Sequence, residues 1–138
     1  MPNFITDWIN NFMGNNVTYV ANAYSHADYV WLRFQREELS IEEISAGLKS
    51  IEIDVKHKEM KMSLVRVPFN EVHIERRNTI REYMTVFARN RDGSKTTICE
   101  NFEIPANRSY IVTDKGGIKE QAYGGDVWED FEGHYHRK

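Results

Sequence analysis

His134-Tyr135-His136 is the closest approach to a metal motif in the chain. On an extended backbone two histidines at this spacing project to one side and could share a Cu²⁺ or Ni²⁺ ion. They lie beside Arg137 and Lys138 with no further ligand nearby, and a closed site needs more donors than two. No metal or other cofactor is therefore expected. His26, His57 and His73 fall singly on polar positions and read as surface residues. Cys99 follows Thr97 and Ile98 in a strand-like run. A nucleophilic thiol needs a base and an electropositive setting, and neither is legible, so Cys99 reads as a small strand residue.

Carboxylates gather at Glu37-Glu38, at Glu42-Glu43, and at Asp126, Glu129, Asp130 and Glu132. Such groups could hold calcium or supply an acid/base pair, but charge runs of this kind usually mark solvated faces. Arg76, Arg77, Arg81, Arg89 and Arg91 surround strand ends and do not trace a helix. That arrangement suits contact with a partner's acidic groups better than contact with nucleic acid. No G-x-S-x-G, phosphate-binding glycine loop, H-E-x-x-H or EF-hand loop occurs. The enzyme classes with local signatures are thereby disfavoured, while an active site assembled from distant residues stays open.

The formal charge of −3, from 18 Lys plus Arg against 21 Asp plus Glu, speaks against a nucleic-acid binder. It also speaks against simple attraction to an anionic bilayer. One cysteine cannot form an internal disulfide, which suits a reducing compartment. No basic and apolar leader is visible, so the expectation is a cytoplasmic protein. The sequons Asn16-Val17-Thr18 and Asn107-Arg108-Ser109 are read as chance matches on the same ground.

The elements that would position these groups are mostly strands. Tyr83 to Ala88 and Thr96 to Cys99 flank Asn90-Arg91-Asp92-Gly93-Ser94, and an Asp-Gly between alternating runs signals a hairpin. Val17 to Ala21 and Tyr29 to Phe34, joined by a polar loop, read as another hairpin. Ile51, Ile53 and Val55 alternate with charged residues, and so do Met60, Met62 and Leu64, with a bulge or second strand at Val65 and Val67 before Pro68. Val72 and Ile74 alternate with His73 and Glu75. Phe102 and Ile104 form a further short run. Ser109 to Thr113 turns at Asp114 to Gly117 and returns as Ile118 to Tyr123.

Two helices are candidates. Asn3 can cap a first one and Gly14 end it, with Phe4, Ile5, Trp8, Ile9, Phe12 and Met13 forming one apolar stripe. That stripe could pack on its own domain, on a partner subunit or on a membrane. Ser40 and Glu43 resemble a capping box before Ile41, Ile44 and Leu48. Gly47 weakens that helix by about 1 kcal/mol relative to alanine, and a charged loop with an irregular strand competes. The sum is a mainly β protein. It would be a single antiparallel β-sandwich over residues 1–138, with a helix at 1–14 and an acidic, aromatic tail at 124–138.

Aromatic side chains are the remaining lead, because Trp and Tyr are favoured interface anchors. Trp31 and Tyr29 sit opposite Val30 and Leu32, while Trp128 and Phe131 follow the last glycine pair. With Phe4, Trp8 and Phe12 they make Trp31, Trp128 and Phe131 the candidate interface residues. If both faces of the Tyr29–Phe34 strand are covered, burial between the two sheets and a helix is the simpler reading.

Asn16 to Asn22 followed by Tyr29-Val30-Trp31-Leu32 resembles the opening strands of a small nematode family, proteins upregulated when insulin-like signalling is reduced. Asn101 to Pro105, Asn107 to Val112 and Gly124 to Trp128 are similar as well. The likeness covers Asn16 to about Asp130 and rests on strand and turn patterns, not chemical signatures. It implies a β-sandwich paired with a related paralogue as a heterodimer, distant structural likeness to aerolysin-type lobes, and no assigned catalytic residue. The resulting expectation is a non-enzymatic subunit acting through a paralogue or a second copy. A lipid- or glycan-binding module is the alternative, and an enzyme with a dispersed site the third.

Overall fold

The computed structural model describes residues 17–51, 63–76, 81–105, 108–115, 117–122 and 127–128. Eight strands form two four-stranded sheets. The first holds β1 (Val17–Asn22), β4 (Val72–Arg76), β7 (Arg108–Val112) and β8 (Ile118–Ala122) in the order β4-β1-β7-β8. The second holds β2 (Tyr29–Gln35), β3 (Val65–Pro68), β5 (Arg81–Arg89) and β6 (Lys95–Pro105) in the order β3-β2-β5-β6. The protein is mainly β and sandwich-like, as the alternation of the sequence predicts.

Period-two alternation decides what lies between the sheets. Val20, Tyr110 and Val112 of the first sheet meet Val30, Leu32, Val67, Met84, Val86, Ala88 and Ile104 of the second in one buried cluster. Among the described pairs only β1 and β7 run parallel. The expected hairpin of β5 and β6 is present, with Gly93 at φ 94 in its turn. Its second strand runs on to Pro105, so Phe102 and Ile104 belong to it and not to a separate element. Asn101 interrupts that strand with a φ of 53.

Three expectations are corrected. β1 and β2 do not pair with each other; they lie in different sheets. Their connection crosses the sandwich and buries Ala23 and Ala27, which a hairpin loop would leave in water. Ile51 is not in a strand but closes a helix, α1 (Ile41–Ser50), and is fully buried beneath it, while Ile53, Val55, Met60 and Met62 of the expected strands lie outside the described residues. His73 is half-buried and is not a plain surface residue: its ring stacks on Phe34, with centroids 5.9 Å apart.

The helix itself forms as the capping box predicts. The Ser40 hydroxyl accepts from the Glu43 amide and the Glu43 carboxylate accepts from the Ser40 amide. Glu42 and Glu43 in the first turn and Lys49 in the last also match the helix dipole. α1 covers the outer face of the second sheet, where Trp31, Phe87, Leu39, Ile44 and Ile51 form a second buried cluster. On the outer face of the first sheet, Val127 and Trp128 cover Ala21, Ala23 and Ile111.

Candidate functional site

At one end of the sandwich three connections converge: Ala23–Asp28, Asn90–Ser94 and the turn at Asp114. The Ser25 amide and hydroxyl both donate to the Asp114 carboxylate at 2.6 Å. The Tyr24 hydroxyl donates to Asn90 Oδ1 at 2.7 Å. Arg91 donates to Asp28 at 3.1 Å and to the Ser25 carbonyl. Asp92 Oδ1 accepts from the amide and hydroxyl of Ser94. Shallow hollows of ≈ 320 and ≈ 390 Å³ flank Asn90 and Arg91.

Ser25, His26 and Asp114 are the residue types of a hydrolase triad, but their order is wrong for one. The base must stand between nucleophile and carboxylate. Here the Ser25 hydroxyl bonds the carboxylate directly, and His26 Nε2 lies 3.9 Å from it, too far for a hydrogen bond. Hydrogen bonding holds the loops together. The electrostatics agree. Burial pulls the Asp114 carboxyl upward, yet the donors of Ser25, with the nearby His26 and Lys115, outweigh it and hold it below the ordinary range. Burial and the neighbouring Asp114 push the Tyr24 phenol up, so it stays a neutral donor.

The thiol of Cys99 is equally unsuited to chemistry. Burial pushes it up to about 12, and its Sγ lies 3.6 Å from the Met84 carbonyl it can donate to. Among the described residues, no group of three or more His, Cys, Asp or Glu is placed to hold a metal ion. His57, Arg77, the carboxylates of 126–132, and His134 and His136 lie outside the described residues. Of the arginines, Arg91 buckles the loops, while Arg89 donates to the Ile51 carbonyl at the end of α1.

The aromatic candidates divide. Trp31 is 1% exposed and is not a surface anchor. It stands opposite Phe87 in the β2–β5 ladder, and α1 lies over both. Both faces of β2 are thus covered, the outcome in which burial is the simpler reading. Trp128 is also buried, against the first sheet. Phe4, Trp8, Phe12 and Phe131 lie outside the described residues. Trp31 and Trp128, both candidate interface residues, are therefore turned into the fold.

A different surface emerges at the β3–β4 corner. In an amphipathic edge strand the apolar side chains normally face the core. β4 is reversed. His73 stands opposite Val20, a core residue, and it bonds Glu75 at 2.8 Å on that same inner side. Val72 and Ile74 point away from the sandwich, 38% and 59% exposed, with Phe69 37% exposed in the adjoining turn. Asn70, at φ 72, makes that turn tight. The alternation of Val72 and Ile74 was visible in the sequence; its direction was not.

No family model, no curated protein and no solved structure matches the chain. No described helix is long and apolar enough to cross a membrane.

Proposed function

We propose that this protein is a non-enzymatic β-sandwich subunit that works by association with a second chain, either its own copy or a related paralogue. The observation that carries the reading is the reversed strand β4, which presents Val72 and Ile74 to solvent and keeps its His–Glu pair inside. An apolar row on an exposed edge strand is a template for pairing with another chain. The loop cluster supports the same reading, because its polar groups bond to one another and the Ser25 hydroxyl is spent on the depressed Asp114 carboxylate and not on a histidine. A single cysteine, with no internal disulfide open to it, fits work in a reducing, cytoplasmic compartment.

Light scattering coupled to size exclusion tests the proposal on the full chain, alone and co-expressed with related chains. A mass of two subunits in either case is the expected result. A single-subunit mass throughout, at the highest attainable concentration, overturns it.

A further inference from the structure

We infer that residues 3–13 of this same chain fold as a helix along the outer side of β4 and close its apolar row, so that a partner must displace them to bind there. The displacement rests on the association reading above; the contact within the chain does not.

The row lies on the outer face of the first sheet. Residues directly opposite in an antiparallel pair put their side chains on one face. Val72 stands opposite Ala21 and Ile74 opposite half-buried Tyr19, and Ala21 is covered from outside by Trp128. Among the described residues the large exposed apolar side chains are Ile41, Phe69, Val72 and Ile74, and all but Ile41 stand at this corner. α1 already occupies the outer face of the second sheet, while Val127 and Trp128 occupy the Ala21–Ile111 part of the first. The β4 side of that first face still needs a cover.

The chain supplies one of matching length at the right place. Residues 1–16 lie outside the described residues and lead into β1 at Val17, one end of the ladder that holds Tyr19 and Ile74. Gly14, Asn15 and Asn16 span about 10 Å when extended, the separation of packed layers. A helix over 3–13 is about 16 Å long, the length of five-residue β4 at about 3.3 Å per residue. Running back from that link, its apolar stripe sets Phe12 by Ile74, and Trp8 and Phe4 toward Val72 and Phe69.

Chemistry then selects among the three partners open to the stripe. Its opposite face, Thr6, Asp7, Asn10 and Asn11, carries no lysine or arginine, the residues an interfacial membrane helix relies on. A second copy would have to compete with a segment tethered by three residues, whose effective concentration is in the roughly millimolar range. The segment's own sheet wins at any lower concentration.

Amide hydrogen exchange on the full chain, read by mass spectrometry at concentrations where sedimentation shows a monomer, is the test. The amides of residues 4–13 should be protected, and Ile74→Asp should speed their exchange at least ~10-fold with the β circular dichroism unchanged. Ile41→Asp, on the exposed side of α1, should leave them protected. Trp8→Asp should uncover the β4 row and raise anilinonaphthalene sulfonate fluorescence ~3-fold, and adding Ile74→Asp should remove that rise. In the association assay Trp8→Asp should bind at least ~10-fold more tightly than wild type, because the competing segment is released. Unprotected amides at 4–13, or protection indifferent to Ile74→Asp, overturns the contact and leaves the association reading standing. Protection that appears only in a dimer assigns the cover to a second copy and overturns the contact within one chain. Association no tighter in Trp8→Asp overturns the displacement. Protected amides in a chain that stays monomeric in every mixture uphold the contact and remove the association reading.

Discussion

Gly47 of α1 lies directly on the ring of Phe87 in β5. A Cβ built on Gly47 would stand 2.8 Å from Phe87 Cε2 and closer still to Cζ. The glycine that weakens the helix by propensity is what lets the helix reach the sheet.

Gly47→Ala therefore sets two effects against each other. Helix propensity favours alanine by about 1 kcal/mol, while overpacking against a fully buried ring costs about 1–3 kcal/mol. The expected net result is a loss of about 1 kcal/mol in urea unfolding. In a Phe87→Leu background the same substitution should be neutral or stabilising. A stabilising Gly47→Ala in the wild-type background would show that the ring yields freely.

Asn22 ties the two sheets together from a fully buried position. Its Nδ2 donates to the Val67 carbonyl at 2.9 Å and its Oδ1 accepts from the Tyr24 amide at 2.9 Å. Asn22→Ala orphans a buried carbonyl and a buried amide, and should destabilise by about 2–4 kcal/mol. Asn22→Asp keeps the acceptor but turns a carboxylate oxygen toward the Val67 carbonyl. Its deficit should shrink as the pH is lowered, read from urea midpoints at several pH values.

Asp114 and Asp92 should make the loop end acid-sensitive. For Asp92 the side-chain bond from Ser94 leads, with its backbone bond second, and the carboxyl sits below the ordinary 3.8. Asp114 is lowered as well, its donors outweighing burial. A carboxyl depressed in the folded state contributes stability that is complete above the unfolded value and lost as pH falls through the folded one. The urea midpoint should thus decline below about pH 4, and Asp114→Asn should flatten that decline. An unchanged slope in the variant would remove Asp114 from the account.

Cys99 should resist alkylation. Burial holds its thiol near 12, so almost no thiolate exists at pH 8, and the thiolate is the nucleophile. Iodoacetamide should leave the folded chain unmodified over hours and label it within minutes in urea, as read by intact mass. Rapid labelling of the folded chain would contradict the burial.

The sequence alone determined whatever depends on short-range chemistry. Alternation at 83–88 and 96–99 around Asp92-Gly93 specified a hairpin, and Ser40 with Glu43 specified a helix start, because turn and cap preferences are local properties of the backbone. Tertiary structure decided which strands became neighbours and which way each strand faced. β1 and β2 went to different sheets although only a short loop separates them. Trp31 and Ile74 both stand on alternating strands, yet α1 buries one and nothing described covers the other. Period-two patterning states that two faces differ; it does not state which face meets the core, since that depends on pairing between residues far apart in the chain.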